Sequence, residues 1–409
     1  VIKCGSYVGN GSSTGPEINL GFEPQWVMVK NADSSSRDWI IWDSMRGIVS
    51  GGDDERLKPN SSEAEGANNA IDLTPTGFKL VNTAANWNEN NKTIIYLAIR
   101  RPDGYVGKPP ELGTGVFAMD TGAGSSTIPN FDSGFPVDFA WYRQPASTDT
   151  NWFTARLIGT NELKANDTNA EASYSDNTWD SNLGWNKNGN TSTGQSWMWK
   201  RHAGFDVVTY TGNGLYDHAI PHSLSKPPEM LWTKRRDTAY SWGVAHKGLN
   251  GGSDPWDWYI FLNSSNGNYA YDGAWSDTAP TSTHFTLGEG VLGNGQNQKY
   301  IAMLFASVDG ISKVGSYTGN ATAGHAITVG FQPRFLIVKH VSGSGADWIV
   351  LDTTRGWASG NDSYLALNSS NAAITGYDHA NPTSTGFTIS ITGSSMNGNG
   401  EKYVYYAHA

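Results

Sequence analysis

The sequence predicts an all-β protein built as four tandem antiparallel β-sandwich domains, jelly-roll-like in outline, and three observations carry that prediction. A stretch near the start, Trp39 to Gly47 (WIIWDSMRG), returns near the end as Trp348 to Gly356 (WIVLDTTRG). Apolar and polar residues alternate at period two, as in KYVYYAHA from Lys402 to Ala409, and no 3.6-residue period is sustained anywhere. Of 409 residues only 16% are charged, while Gly contributes 48 and Trp, Tyr and Phe contribute 17, 18 and 14. Burial must then rest on aromatic and β-branched side chains, carried on short strands between tight turns.

Repeat 1, residues 1–101, opens with CGSYVGN and passes through Gly21, Phe22 and Pro24 into the apolar run Trp26 to Lys30. WIIWDSMRG follows, then LKPNSSEAE from Leu57, TPTGFKL from Thr74 and TIIYLAIR from Thr93. Residues 102–114 are rich in Pro and Gly, the composition of a semi-rigid linker. Repeat 2 (115–203) and repeat 3 (204–309) follow the order more loosely: FPVDFAWYRQ, WFTARLIGT from Trp152 and SWMWKRH from Ser196, then PPEMLWTKR, WGVAHKGLN from Trp242 and KYIAMLFAS from Lys299. Repeat 4 (310–409) restores the first pattern, with VGSYTGN, Gly330, Phe331, Pro333, the run Phe335 to Lys339, WIVLDTTRG, LALNSSNAA, TSTGFTIS and KYVYYAHA. Aligning Trp39, Trp152, Trp242 and Trp348 gives units of about one hundred residues, the size of a small domain. The joins after His202 and Val308 are so short that consecutive units there should touch and hold a fixed arrangement.

A formal net charge of -10 argues against a general nucleic-acid binder, which needs a basic surface. Cys4 is the single cysteine, so no intrachain disulfide can staple the fold, and assembly in a reducing cytoplasm fits. No apolar run approaches the ~20 residues of a membrane span, and the first residues lack a signal peptide's regions. The sequence begins at Val1 rather than Met, which suggests a missing N-terminal segment, an anchor among the candidates.

Asp43 with Arg46 and Asp352 with Arg355 stand at the ends of predicted strands, where an acid and its partner often act. Counting four residues from each aligned tryptophan gives Asp43, Arg156, His246 and Asp352, so the middle repeats lack the carboxylate, and a structural turn or ion pair is the better reading. His218 and His222 have the spacing of a zinc-binding helix, but Pro221 speaks against a helix there and no third ligand matches, so no metal or cofactor is expected. No nucleophile elbow, nucleotide-binding glycine loop or HExxH pattern is present, which leaves no catalytic residue to name. Sequons at Asn60, Asn166, Asn263 and Asn368 recur at comparable positions and read as Asn/Ser-rich turns. The best binding candidate is the aromatic cluster of repeat 3, Trp256, Trp258, Tyr259, Tyr269, Tyr271 and Trp275, whose rings would stack on sugars while Asp257 and Asp272 meet hydroxyls. Alternating aromatics also build sandwich cores and subunit interfaces, and both readings stay open.

The order GSYTGN, GFQPRFLIVK, WIVLDTTRG, STGFTIS and KYVYYAHA resembles a repeat domain of unknown function found in virion proteins of tailed bacteriophages, notably marine and cyanobacterial ones. Repeats 1 and 4 carry the motif set well, whereas repeats 2 and 3 match in outline. The resemblance implies a non-enzymatic virion component assembled in the host cytoplasm, first of all a tail fibre, spike or other appendage for host attachment. Its partners would be other virion proteins, a host surface glycan and further copies of itself, with neither nucleic acid nor an inserted membrane among them. A capsid decoration protein and a carbohydrate-binding or polysaccharide-degrading protein are the alternatives.

Overall fold

The computed structural model describes residues 1–123, 129–174, 177–187 and 193–409. As the alternation predicts, it is all-β, with 42% strand and antiparallel sheets throughout, consistent with tandem β-sandwich domains. Repeat 1 contains β1 (Ile2–Val8), β2 (Glu17–Asn19), β3 (Pro24–Asn31), β4 (Trp39–Asp43), β5 (Asp54–Leu57), β6 (Gly66–Asn68), β7 (Ile71–Thr74), β8 (Gly77–Leu80) and β9 (Thr93–Arg100). A six-stranded sheet runs in the order β1-β9-β3-β4-β5-β6 and a three-stranded sheet in the order β2-β8-β7. Period-two patterning turns Val27, Val29, Ile40, Trp42, Ile94 and Tyr96 of the large sheet onto Ile18, Ile71, Leu73 and Phe78 of the small one. A single helical turn, Ala85–Asn88, too short to leave a helical period in the sequence, sets Trp87 edge-on to Trp42 with ring centroids 5.4 Å apart.

The large sheet recurs three times with the same strand order. In repeat 4 its strands are Ser312–Thr318, Lys402–His408, Phe335–His340, Trp348–Asp352, Asp362–Ala366 and Ile374–Tyr377. Register fixes the equivalent positions: Trp26, Phe139, Met230 and Phe335 lie opposite Ile99, Trp199, Phe305 and His408. It also corrects the tryptophan alignment in repeat 2. Tyr142 lies opposite Trp152 and Phe139 opposite Ala155, so Asn151 holds the place of Trp39 and Trp348, and Ala155 rather than Arg156 that of Asp43. A slip of one residue in a strand exchanges the two faces, so Trp152 points away from the side its supposed counterparts use.

What the sequence left unassigned is the second face of each large sheet. In repeats 2, 3 and 4 these faces meet in one apolar core, which includes Phe139, Trp141, Phe153 and Trp197, then Met230, Trp232, Val244 and Met303, then Phe335, Ile337, Val350 and Tyr406. Aromatic pairs close the ring: Phe153 stacks on Trp232 at 5.7 Å, Phe305 meets Tyr406 at 4.9 Å, and Phe335 meets Phe117 at 5.1 Å, joining repeat 2 to 3, 3 to 4 and 4 to 2. Each side chain so buried contributes about 1.5–3 kcal/mol relative to exposure, which makes the three repeats one body.

Repeat 1 stands outside that ring. The same face of its sheet leaves Cys4 exposed, Ile95 39% exposed and Leu57 38% exposed, with Trp26, Met28, Ile41 and Leu97 half-buried. Their counterparts Val314, Val404, Leu365, Phe335, Ile337, Val350 and Tyr406 are at most 2% exposed.

Candidate functional surfaces

Both strand-end pairs are structural turns. The Asp352 carboxylate accepts the Arg355 backbone N–H at 2.9 Å and its guanidinium Nε at 2.6 Å, and also the Trp197 indole N–H of repeat 2 at 3.1 Å. Gly356 closes the turn at φ 95°, a left-handed conformation that suits glycine. Asp43 repeats the geometry, with Arg46 Nε at 2.7 Å, and Arg46 also reaches Glu65 of its own repeat at 2.7 Å. His218 lies on the strand His218–Pro221 and His222 just beyond it; they contact Asn294 Oδ1 at 2.8 Å and the Thr281 carbonyl at 3.1 Å, not a shared site.

The sequon asparagines have a structural reason to recur. Oδ1 of Asn60, Asn166, Asn263 and Asn368 accepts the backbone N–H of residues Trp39, Asn151, Trp242 and Trp348 at 2.8–3.0 Å, tying each loop to the start of its strand. These loops are also the acceptors of a cyclic set of contacts that sequence reading missed. Lys234 of repeat 3 donates to the Thr168 carbonyl of repeat 2 at 3.0 Å, and Lys339 of repeat 4 to the Ser265 carbonyl of repeat 3 at 2.7 Å. Arg143 of repeat 2 donates to the Ser369 carbonyl of repeat 4 at 2.9 Å and closes the circle. The Trp242 indole (to Lys164), the Trp348 indole (to Phe261) and the Asn151 amide (to Leu367) donate to neighbouring carbonyls in the same rotation, at 2.8–3.0 Å. Burial pulls the Lys339 ammonium down to about 7 and that of Lys234 to about 8, the effect of taking a cation out of water. A basic residue in the same column of the apolar runs VMVK, AWYR, LWTK and LIVK was the available signal.

Repeat 1 is fastened by a buried cluster of charges where the chain passes between units. Arg101 reaches Glu23 at 3.1 Å and Asp206 at 3.0 Å, and Arg201 pairs with the same two carboxylates, all four side chains being under 10% exposed. Two cations alternate with two anions, and Asp206 accepts the Ser223 N–H as well at 2.8 Å, so the charges are spent on each other. The Arg101 and Arg201 pairings reflect basic residues that end repeats 1 and 2 in sequence, as RRPD and KRHAGFD, though which acids they meet depends on the fold.

The aromatic cluster of repeat 3 divides. Trp275 is 1% exposed within that repeat's own sandwich core, and Trp258 lies against the shared core. Trp256 and Tyr259 are partly buried against the sandwich core, whereas Tyr269 is 38% and Tyr271 42% exposed. Tyr259 stacks on Tyr269 at 5.5 Å and meets Tyr271 edge-on at 6.5 Å, leaving a tyrosine surface at the sheet edge beside Asp257 and exposed Asp272. Alternation within Trp258–Phe261 explains the split, since neighbours on a strand point to opposite faces.

No helix is long and apolar enough to cross a membrane, and no group of three or more His, Cys, Asp or Glu side chains that could hold a metal ion occurs among the described residues. No curated protein and no solved structure matches the chain. A family model described as a domain of unknown function, DUF7483, matches residues 2–101 and 117–409, leaving out the Pro/Gly segment after repeat 1. With nearly all of its length inside that match, the chain belongs to the DUF7483 family.

Proposed function

We propose that the chain is a non-enzymatic structural protein of a phage virion, a tail fibre, spike or other appendage that meets the host surface. The motif order supports this reading through its resemblance to virion repeat domains. The observation that carries the binding part is the tyrosine surface of repeat 3, where Tyr259, Tyr269 and Tyr271 offer ring faces beside Asp257 and Asp272. Flat aromatic faces next to carboxylates suit a glycan, whose ring carbons pack on the π surface while its hydroxyls donate to the acids. Repeats 2, 3 and 4 share one apolar core around it, which suits an element that holds a contact at a distance.

Retention on host envelope polysaccharide tests the reading. The intact chain should be retained and a Tyr269→Ala, Tyr271→Ala double variant should not, with polysaccharide length unchanged in both. Equal retention of the two removes the tyrosine surface, and new reducing ends overturn the non-enzymatic assignment. In a map of the particle, density for this chain on the capsid lattice would count against an appendage.

A further inference from the structure

The bare face of repeat 1 has three fully described counterparts, and they show what covers such a face. In repeats 2, 3 and 4 it is covered by the same face of two other repeats, through contacts that run one way round and close after three steps. Contacts of that kind, head-to-tail and closing on themselves, are those from which rings of identical units are made. Repeat 1 keeps every part of the device. Lys30 stands at the place of Lys339 and donates to the Arg37 carbonyl of its own loop, as Lys339 does to Ala346. Lys339 finds a second acceptor in the neighbouring repeat, and among the described residues Lys30 has none. The Trp39 indole N–H likewise finds no acceptor among the described residues, whereas Trp348 reaches Phe261 at 3.0 Å. The receiving loop is also open, with Ser62 exposed at the position of Ser265.

We infer that repeat 1 forms a homotrimer interface, in which its large-sheet face joins those of two further copies of the chain and rebuilds between molecules the core that repeats 2, 3 and 4 build within one. Lys30 then donates to Ser62 of the partner subunit and Trp39 to Lys58 of the partner subunit, in the rotation seen inside the chain. The centre of the interface is Met28, Ile41, Ile95 and Leu97, an apolar surface of the kind that marks association when it is contiguous. The contacts that hold repeat 1 to its own chain, among them Ser50 to Thr209 at 2.9 Å, Ser50 to Leu157 at 3.0 Å, Arg236 to Ser50 at 2.9 Å and the pairings of Arg101 and Arg201, leave this face uncovered. This inference does not depend on what the virion reading says the chain binds.

Sedimentation equilibrium of the whole chain tests it, with Cys4 as a reporter because Cys4 lies at the place of buried Val314. The expected mass is three times the 44.2 kDa of one chain, with Cys4 protected from a maleimide in native buffer. Leu97→Asp should give the single-chain mass and open Cys4 to the reagent while near-ultraviolet circular dichroism is retained. Ser62→Arg, a change in an exposed loop that leaves the sandwich core untouched, should do the same and decides the matter if Leu97→Asp fails to fold. A single-chain mass for the unaltered protein overturns the inference, as does a trimer that persists in Ser62→Arg with Cys4 protection unchanged.

Discussion

Repeats 1 and 4 share a motif set, a strand order and a turn, yet their second faces have opposite fates. Ile337 is 2% exposed where Met28 is half-buried, and Val404 is 1% exposed where Ile95 is 39% exposed. The carboxylate of Asp352 is fully buried under repeat 2, while that of Asp43 keeps 22% of its side-chain surface. The difference teaches that strand patterning determines the sandwich, and the company a repeat keeps determines whether its outward face becomes core.

Substitutions at equivalent positions should therefore separate by neighbourhood. Trp232→Ala, in the ring stack with Phe153, should cost about 3–5 kcal/mol in chemical denaturation. Its counterpart Met28→Ala should cost about 1 kcal/mol or less in a single-chain background such as Ser62→Arg. Equal losses would break the comparison. Arg101→Leu strands Glu23 and Asp206 with one cation between them, and about 3 kcal/mol of destabilisation should appear together with faster proteolysis in residues 102–114. A smaller contrast is expected within the turn pairs: Asp352→Asn about 1–3 kcal/mol, through its bonds to Arg355 and Trp197. Asp43→Asn, at the surface, should fall at about 0–1 kcal/mol.

Acid should sharpen the same comparison. Repeat 1 has no histidine, whereas burial pushes His202, His246 and His408 in the joined repeats down to about 3. His246 Nδ1 accepts the Gly248 N–H at 2.9 Å, which requires a neutral ring. Between about pH 3 and 6.5 the unfolded chain binds protons at these rings that the folded chain refuses. The contribution of these three rings to stability is thus full above pH 6.5 and is lost as pH drops toward 3. Melting of the His246→Gln variant should show a shallower acid slope than the unaltered protein, and an unchanged slope would mean that this ring is already charged.

How far the sequence foretold this differs by level. WIVLDTTRG and KYVYYAHA announce strands, and the recurrence of their order announces repeats, because period two and turn residues are local properties. Sites depend on register and company, which are not local. Trp152 misled because repeat 2 matches the others one residue earlier, at Asn151. The rings of Trp258, Tyr259 and Trp275 look alike in sequence, but one faces the shared core and the others their own sandwich. Apolar residues on both faces, as in TIIYLAIR and KYIAMLF, did signal a second cover without saying which surface supplies it.

Repeats 2, 3 and 4 close a core without repeat 1. Chemical denaturation of two truncated chains, 108–409 and 1–309, tests that closure most directly. The 108–409 chain should unfold in one cooperative transition with the ring intact. The 1–309 chain, which lacks repeat 4 and bares the faces of repeats 2 and 3, should lose the cooperative transition or aggregate. A stable, cooperative 1–309 beside an unfolded 108–409 would contradict that closure.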